Sequence, residues 1–171
     1  MGLRNINGVR QPDTDTSTDT STPIIRLEPP AQNFNINQST LYDWGSAPII
    51  DNNVFEYVSG GDYVVVEKDG TYEVQLNIGF IIDGTTDRPS PNAFLYKNRT
   101  SSGSGGTKLA TAGKTGYIRN NDGHEESSLH LSWAGDLGGG DEISVQMVQE
   151  AASTSCEDVS GETNMYVKKI A

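Results

Sequence analysis

Apolar and polar side chains alternate along the run Thr71–Ile82. The even positions from Tyr72 onward are apolar, whereas Glu73 and Gln75 are polar. A period of two predicts a strand with one face buried. The preceding run Tyr63–Val66 is continuously β-branched and aromatic, which is typical of a strand covered on both faces. The Asp69-Gly70 pair between the two runs predicts a tight hairpin.

Further short runs of strand character follow along the chain, separated by segments rich in glycine, proline and asparagine. We find no convincing helix pattern and no internal repeat, so the sequence predicts an all-β fold, an antiparallel β-sandwich jelly roll of about eight to ten strands. The additional predicted strands are Thr40–Trp44, Val54–Val58, Ala93–Lys97, Thr115–Arg119, Ser127–Trp133, Ile143–Val148 and Asn164–Ile170.

The N-terminal part of the chain lacks the pattern of a folded domain. Gln11–Thr22 is a low-complexity run of Asp, Thr and Ser, which predicts a linker. Pro29-Pro30 disfavours helix in the segment that follows. We therefore divide the chain into an extended arm, residues 1–45, and a jelly-roll domain, residues 46–171.

Apolar residues within this arm are candidates for anchoring to a partner. In Met1–Arg10 they recur at near-helical spacing, so this segment is either a peg that orders on a partner or a disordered terminus. The anchoring candidates are Leu3, Ile6, Val9, Ile24 and Ile25.

Composition narrows the class of partner. The net charge is -11 and the pI about 4.4, so nucleic acid and anionic membranes would be repelled. Cys156 is the only cysteine, which excludes an intramolecular disulfide. The sequence shows neither the apolar run of a secretory signal nor 18 consecutive apolar residues, so we expect a protein that is made in the cytoplasm and has no membrane partner.

The inventory of chemically reactive residues is thin. His124 and His130 do not form a metal-binding motif. We therefore expect no catalytic residues and no cofactor. Acidic loops supply oxygen donors that either are simply solvated or hold a structural cation. The weak candidates for such a cation are Asp83, Asp87 and Asp122.

Two segments together resemble a known family. They are Val65–Leu76, which contains the turn Gly70-Thr71-Tyr72, and Leu129–Met147, in which Gly140-Asp141 leads into an alternating strand. Their order and spacing resemble the trimeric jelly roll shared by tumour necrosis factor and the globular heads of complement and collagen-type proteins. Ala93–Asn98 is similar to the strand of that family that ends in Lys-Asn.

The sequence departs from the family at two places. Asn164–Val167 stands where the family has a Phe-x-Gly strand, and no collagen repeat precedes the domain. The chain is more similar to the versions found on virus particles. The resemblance implies a virion structural protein, a homotrimeric capsid decoration of a tailed virus of bacteria or archaea. Its arm would bind the major capsid protein or another virion protein.

Two alternatives remain open. One is a receptor-binding tip of a tail fibre, or adhesin, that contacts a host glycan or receptor. The other is a jelly-roll carbohydrate-active enzyme, for which Glu67 and Glu73 are the only inward-facing carboxylate candidates. If the protein is a capsid decoration or a fibre tip, we expect the loops Ser101–Gly106 and Asp83–Asn92 to face the host surface.

A trimer also follows from a physical argument. Central strands with apolar residues on both faces, such as Tyr63 with Val64, must bury the second face, and closed cyclic symmetry achieves this. We expect Tyr72, His130 or Trp133 near the trimer axis, the alternative being that they belong to the core of the single subunit.

Overall fold

The computed structural model describes residues 22–30, 33–34, 41–58, 62–82, 89–100, 104–111, 118, 126–149, 156–159 and 161–171. Within these ranges every regular element is a strand, and the strands form two antiparallel sheets. The predicted all-β sandwich is therefore confirmed. Twelve strands are found in the described ranges, more than the predicted eight to ten, because several strands of two to five residues are too short to show a period of two.

Sheet I has seven strands in the order β2-β11-β6-β12-β1-β3, with β9 paired to the other side of β6. Its strands are β1 (Ile24–Glu28), β2 (Asn33–Phe34), β3 (Ser46–Ile50), β6 (Gly70–Ile82), β9 (Glu126–Leu137), β11 (Cys156–Asp158) and β12 (Asn164–Lys169).

Sheet II has five strands in the order β4-β5-β10-β7-β8. They are β4 (Phe55–Tyr57), β5 (Tyr63–Val66), β7 (Pro91–Lys97), β8 (Thr107–Thr111) and β10 (Glu142–Gln149). The crossing of the chain between the two sheets is what makes the sandwich a jelly roll rather than a meander.

Strand β6 organises sheet I. The alternation along it is confirmed, because Tyr72, Val74 and Leu76 are buried against sheet II while Gln75 is exposed. It pairs with β9 over twelve consecutive residue pairs, from Gly70 to Ile81, and with β12 on its other side. Its long unbroken register fixes which side chains of three strands share each face.

The predicted hairpin at Asp69-Gly70 is wrong. Strand β5 pairs with β4 and β10 in sheet II, whereas β6 lies in sheet I, so the turn carries the chain from one sheet to the other. Gly70 does not have the positive φ of a tight hairpin turn. Instead, the amide of Gly139 donates to Asp69 Oδ1 at 2.7 Å and the Tyr72 hydroxyl donates to the Lys68 carbonyl, which fastens the turn.

The core lies between the two sheets and is rich in aromatic residues. Tyr42 and Trp44 pack edge to face with ring centroids 4.7 Å apart, and Phe55 and Tyr72 do so at 5.9 Å. All four side chains are buried. On β5, by contrast, only the core-facing positions are buried and Tyr63 is half-buried, so the expected covering of both faces is incomplete.

The sandwich begins earlier than the sequence indicated. Strand β1 pairs with β12 and β3, and Ile25 and Leu27 are fully buried in the core. This finding corrects the predicted domain boundary at Ser46. The alternation over the five residues of β1, next to Pro29-Pro30, was too short to indicate a strand. Of the predicted strand Thr40–Trp44, Thr40 lies outside the described residues, and Leu41–Trp44 form no strand but join β10 through a bridge between Leu41 and Gln146.

Candidate subunit interface on sheet I

The outer face of sheet I is a broad surface built from four neighbouring strands. Strand β9 contributes small or polar exposed side chains, and the register places them beside the polar positions of β6 and then those of β12 and β1. The residues of this surface are Ser128, His130, Ser132, Ala134 and Asp136 of β9, Glu73, Gln75 and Asn77 of β6, Asn164, Tyr166 and Lys168 of β12, and Ile24 and Arg26 of β1.

A ladder of hydrogen bonds crosses three strands of this face. His130 Nδ1 lies 2.8 Å from Asn77 Oδ1, and Asn77 Nδ2 donates to Asn164 Oδ1 at 3.0 Å. Since Asn77 Oδ1 can only accept, the neutral imidazole carries its proton on Nδ1. The ladder ties side chains of three neighbouring strands to one another on this face.

A second cross-strand bond extends this order. Thr71 Oγ1 donates to Asp136 Oδ1 at 2.8 Å between β6 and β9. Next to the ladder, a hollow of about 220 Å³ is lined by Ile24, Glu73, Gln75, Tyr166 and Lys168. Gln75 Nε2 donates to Glu73 Oε1 at 2.9 Å within it.

Apolar side chains also lie on this face. Among the described residues, the large apolar side chains left exposed are Ile49, Val58 and Ile170. Ile49 is paired with Arg26, whose side chain points outward. Ile170 continues β12, with its amide donating to Thr71 O, and the alternation places it on the side of Tyr166 and Lys168. Two of the three therefore border the same surface.

Sequence reasoning missed Ile49 and Ile170. The Ile49–Ile50 pair carried a signal, because two successive apolar residues in a half-covered strand must point to opposite faces. Recognising it would have required knowing that Ser46–Ile50 is a strand, and Pro48 within it argued against that.

The three trimer-axis candidates occupy different places. His130 is exposed on the outer face of sheet I. Tyr72 is completely buried in the core of the single subunit, and Trp133 is half-buried on the inward side of β9, packed against that core. Tyr72 and Trp133 thus match the alternative that was left open for them, and His130 alone faces outward.

The predicted cation candidates Asp83, Asp87 and Asp122 lie outside the described residues, as do His124 and the anchoring candidates Leu3, Ile6 and Val9. No group of three or more His, Cys, Asp or Glu suited to a metal ion is found within the described ranges.

The two carboxylates proposed for an enzyme do not face each other. Glu67 is exposed at the end of β5 in sheet II, and Glu73 lies on the outer face of sheet I. Neither points into the sandwich, so the expectation that they were inward-facing is wrong. Glu73 points outward because it alternates with the buried Tyr72 and Val74 on β6, and Glu67 follows the buried Val66 as an exposed residue.

Asp141 is the centre of a group of hydrogen bonds that holds two parts of the fold together. Burial alone would raise the pKa of Asp141, but hydrogen bonds from the Gly138 amide, Asn98 Nδ2 and Lys97 Nζ together lower it below its ordinary value. Asn98 itself has a φ of 55° and accepts a bond from the Glu142 amide at 2.8 Å. This cluster ties the end of β7 to the turn before β10.

No helix in the described part of the chain is long and apolar enough to cross a membrane.

Comparison with known proteins identifies the architecture. No protein-family model matches the sequence, and no curated protein sequence matches it. Among solved structures, the chain is similar to Eiger TNF from S. frugiperda, with a TM-score of 0.64 and 15% identity over 88% of this chain and 93% of that one. It is also similar to murine APRIL, with a TM-score of 0.62 and 14% identity over 88% of this chain and 100% of that one. The fold is therefore a jelly roll of the tumour necrosis factor type.

Proposed function

We propose that the protein is a homotrimeric structural protein of a virion, a capsid decoration of a tailed virus of bacteria or archaea. It stabilises the capsid and displays a host-facing surface. The arm that binds the major capsid protein consists of the residues before β1, with Leu3, Ile6 and Val9 as its apolar contacts. Ile24 and Ile25 belong to the sandwich and do not take part in the arm.

The observation that carries the proposal is the outer face of sheet I. Ile49 and Ile170 are exposed at its borders, and Ser132 and Ala134 of β9 are small enough to let another subunit approach closely. Interfaces between separately folded subunits are about as polar as the remaining surface, so the hydrogen-bonded ladder does not oppose association. Closed threefold symmetry buries this face in every subunit without leaving an open end.

The placement of the acidic side chains supports a role in assembly over the enzyme alternative. Since Glu67 and Glu73 lie on different sheets and both point outward, the carboxylate pair needed by the enzyme alternative is missing at those positions. Assembly and display explain the broad ordered face better than catalysis does.

The subunit arrangement is tested by light scattering of the full chain and of Ser132→Arg. A long cation at Ser132 enters the centre of the proposed interface, so we expect a trimeric mass for the wild type and a monomeric mass for the variant. Thr111→Arg is the matched control, because Thr111 is exposed at the edge of sheet II. A monomeric wild type, or equal effects of the two substitutions, would refute the interface.

The capsid role is tested by deleting residues 1–21. This deletion ends just before Thr22, the first residue that the structure describes. We expect the shortened protein to remain trimeric and to lose co-sedimentation with purified capsids. Retention on the capsid would exclude the arm as the anchor.

If the tail-fibre alternative is right, the protein lies on the tail of the virion rather than on its head. Gold-labelled antibody against the protein would decorate the head lattice if the proposal is right. Labelling confined to the tail tip would favour a receptor-binding fibre head instead.

A further inference from the structure

The outer face of sheet II carries cations stacked on aromatic rings. Phe94 and Tyr96 of β7 point away from the core, and Lys108 of β8 is paired with Tyr96. Lys108 Nζ lies 4.0 Å from the Phe94 ring centroid and 5.8 Å from that of Tyr96. Arg99 Cζ lies 3.9 Å from the Tyr96 centroid. We call these four residues the cationic patch.

The two cations of the patch are held in place. Arg99 Nη1 donates to the Gly105 carbonyl at 3.1 Å, which fixes the plane of the guanidinium over Tyr96. The Phe94 and Tyr96 rings pack edge to face, with their centroids 6.4 Å apart. A cation over an aromatic face at an exposed site gains about 0.5–1 kcal/mol. The guanidinium of Arg99 is therefore held in a defined orientation before any ligand arrives, while Lys108 lies close to both rings.

The charge of the patch is not neutralised within the described part of the chain. The ion pairs found there are Arg26 with Glu28 and Lys97 with Asp141, and neither Arg99 nor Lys108 takes part in one. Glu142 is the acidic residue nearest by register on this face, since it stands beside Asn98, yet it forms no ion pair with Arg99. In a chain with a net charge of -11, two cations that lie over the Tyr96 ring without an ion pair among the described residues are a local exception in sign, and such a site attracts an anion.

The position of the patch suits a ligand outside the assembly. It lies on sheet II, the sheet opposite the proposed subunit interface, so trimer formation leaves it accessible. It also adjoins Ser104–Gly106, the described end of a loop expected to face the host. Lys108 is exposed and Arg99 half-buried, so their charged ends are open to a ligand from solvent, although the Tyr96 ring beneath them is only 8% exposed.

We propose that the cationic patch binds the carboxylate or sulfate groups of an acidic polysaccharide on the host surface, an inference that rests on the proposed display function. Arg99 Nε is buried and Nη1 donates to the Gly105 carbonyl, so Nη2 and the second N–H of Nη1 are the donors left for a carboxylate or sulfate, while Lys108 offers a point charge. Because the guanidinium is already held by Gly105 and Tyr96, binding need not immobilise Arg99 anew.

The test is binding of the full chain to immobilised alginate and dextran sulfate, with neutral dextran as the reference. At about 0.15 M salt the Debye length is about 8 Å, so distant charges contribute little. We expect binding to both acidic polymers and none to dextran, and a loss of about tenfold or more in affinity for Arg99→Ser with Lys108→Ser. Absence of binding to either acidic polymer would overturn the proposal.

A matched control removes the same charge elsewhere. Lys68 and Lys169 lie outside both the patch and the outer face of sheet I, and Lys68→Ser with Lys169→Ser changes the net charge by the same amount. We expect this variant to bind as the wild type does. An equal loss in both double variants would mean that net charge rather than the patch governs binding, and would contradict the proposal.

Two further measurements separate the remaining outcomes. Binding to poly-glutamate as tight as binding to alginate would favour an acidic protein partner over a polysaccharide. A charge-retaining variant, Lys108→Arg, is expected to keep binding, and its failure would contradict recognition by charge. Light scattering on the same samples distinguishes this proposal from the proposed trimer. A trimeric protein that binds no acidic polymer would refute only binding by the cationic patch. A monomeric protein that binds the polymer would refute only the trimer.

Discussion

The hydroxyl of Tyr42 donates a hydrogen bond of 2.9 Å to Asp158 Oδ2, 116 residues further along the chain, and both side chains are buried. Burial raises the pKa of Tyr42 far above its ordinary value, and the negative charge of Asp158 raises it further. Tyr42 therefore stays a donor over the whole accessible pH range. The bond joins the segment before β3 to β11 of sheet I.

Replacing Tyr42 by Phe should destabilise the fold. The substitution keeps the ring packed against Trp44 but removes the hydroxyl from a buried carboxylate, which costs about 1–3 kcal/mol of unfolding free energy. Urea denaturation at one protein concentration measures the loss. Tyr63→Phe is the control, because the half-buried Tyr63 makes no side-chain hydrogen bond within the described residues, and similar losses in both variants would contradict the role of the bond.

Asp141 should make stability depend on pH in the acid range. Its folded pKa is lowered from an ordinary value of about 3.8, so its stabilisation is fully present above that value and is lost as the pH falls through the lower folded pKa. Asp141→Asn should lower the unfolding free energy at neutral pH, and the difference from wild type should shrink below about pH 4. Chemical denaturation at a series of pH values measures this.

Glu56→Gln is the matched control for that experiment. Glu56 is exposed on β4 and forms no ion pair within the described residues. We expect its substitution to leave the acid dependence of the unfolding free energy as in the wild type. A constant difference between Asp141→Asn and wild type at all pH values would contradict the assigned role of the carboxylate.

The sequence predicted those strands whose own residues show a clear pattern of apolar and polar positions. β6 showed its period over twelve residues, and Tyr63–Val66 was predicted with its observed bounds. The partner of a strand has no such local signal. The Asp69-Gly70 pair looked like a hairpin turn, yet long-range pairing of β6 with β9 and β12 decided where the chain went next.

The candidate interface was harder to predict because a face is assembled from distant segments. His130, Asn77 and Asn164 each occur in a predicted strand, but only the register shows that their side chains form one ladder. Likewise, the stacking of Arg99 on Tyr96 depends on the course of the chain after β7. Residue type and spacing contain no information about that course.

Gly140 should tolerate alanine poorly even though there is room for a side chain. A Cβ there would meet nothing within 4 Å, but its φ of +90° is unfavourable for an L-residue, so Gly140→Ala should lower the unfolding free energy by about 1–2 kcal/mol. Gly161 also has open space and no positive φ, so Gly161→Ala should be neutral or stabilise by about 0.4–1 kcal/mol. Thermal denaturation of both variants checks this, and equal effects would exclude backbone strain as the cause.

Cys156 should be unreactive in the folded protein. The side chain is fully buried, and burial raises the pKa of its thiol to about 12 from an ordinary value of 9.0. The thiolate is the reactive form, so iodoacetamide at about pH 8 should modify the protein only in denaturant. Since the folded pKa is raised, its contribution to stability is present below about pH 9 and is lost as the pH rises toward 12. Rapid labelling of native protein, followed by mass spectrometry, would contradict the burial.

The place of β1 in the sandwich can be tested with two isoleucines. Ile25 is fully buried, so Ile25→Ala should lower the unfolding free energy by about 2–5 kcal/mol through lost burial and a residual cavity. Ile49 on the neighbouring strand β3 is 45% exposed in the single subunit, so in the Ser132→Arg background, in which the proposed interface is disrupted, Ile49→Ala should change it by no more than about 0.5 kcal/mol. Urea denaturation at a single protein concentration compares the two. If Ile25→Ala were as mild as Ile49→Ala, then β1 would not contribute to the core, and the anchoring arm would again extend as far as Ser46.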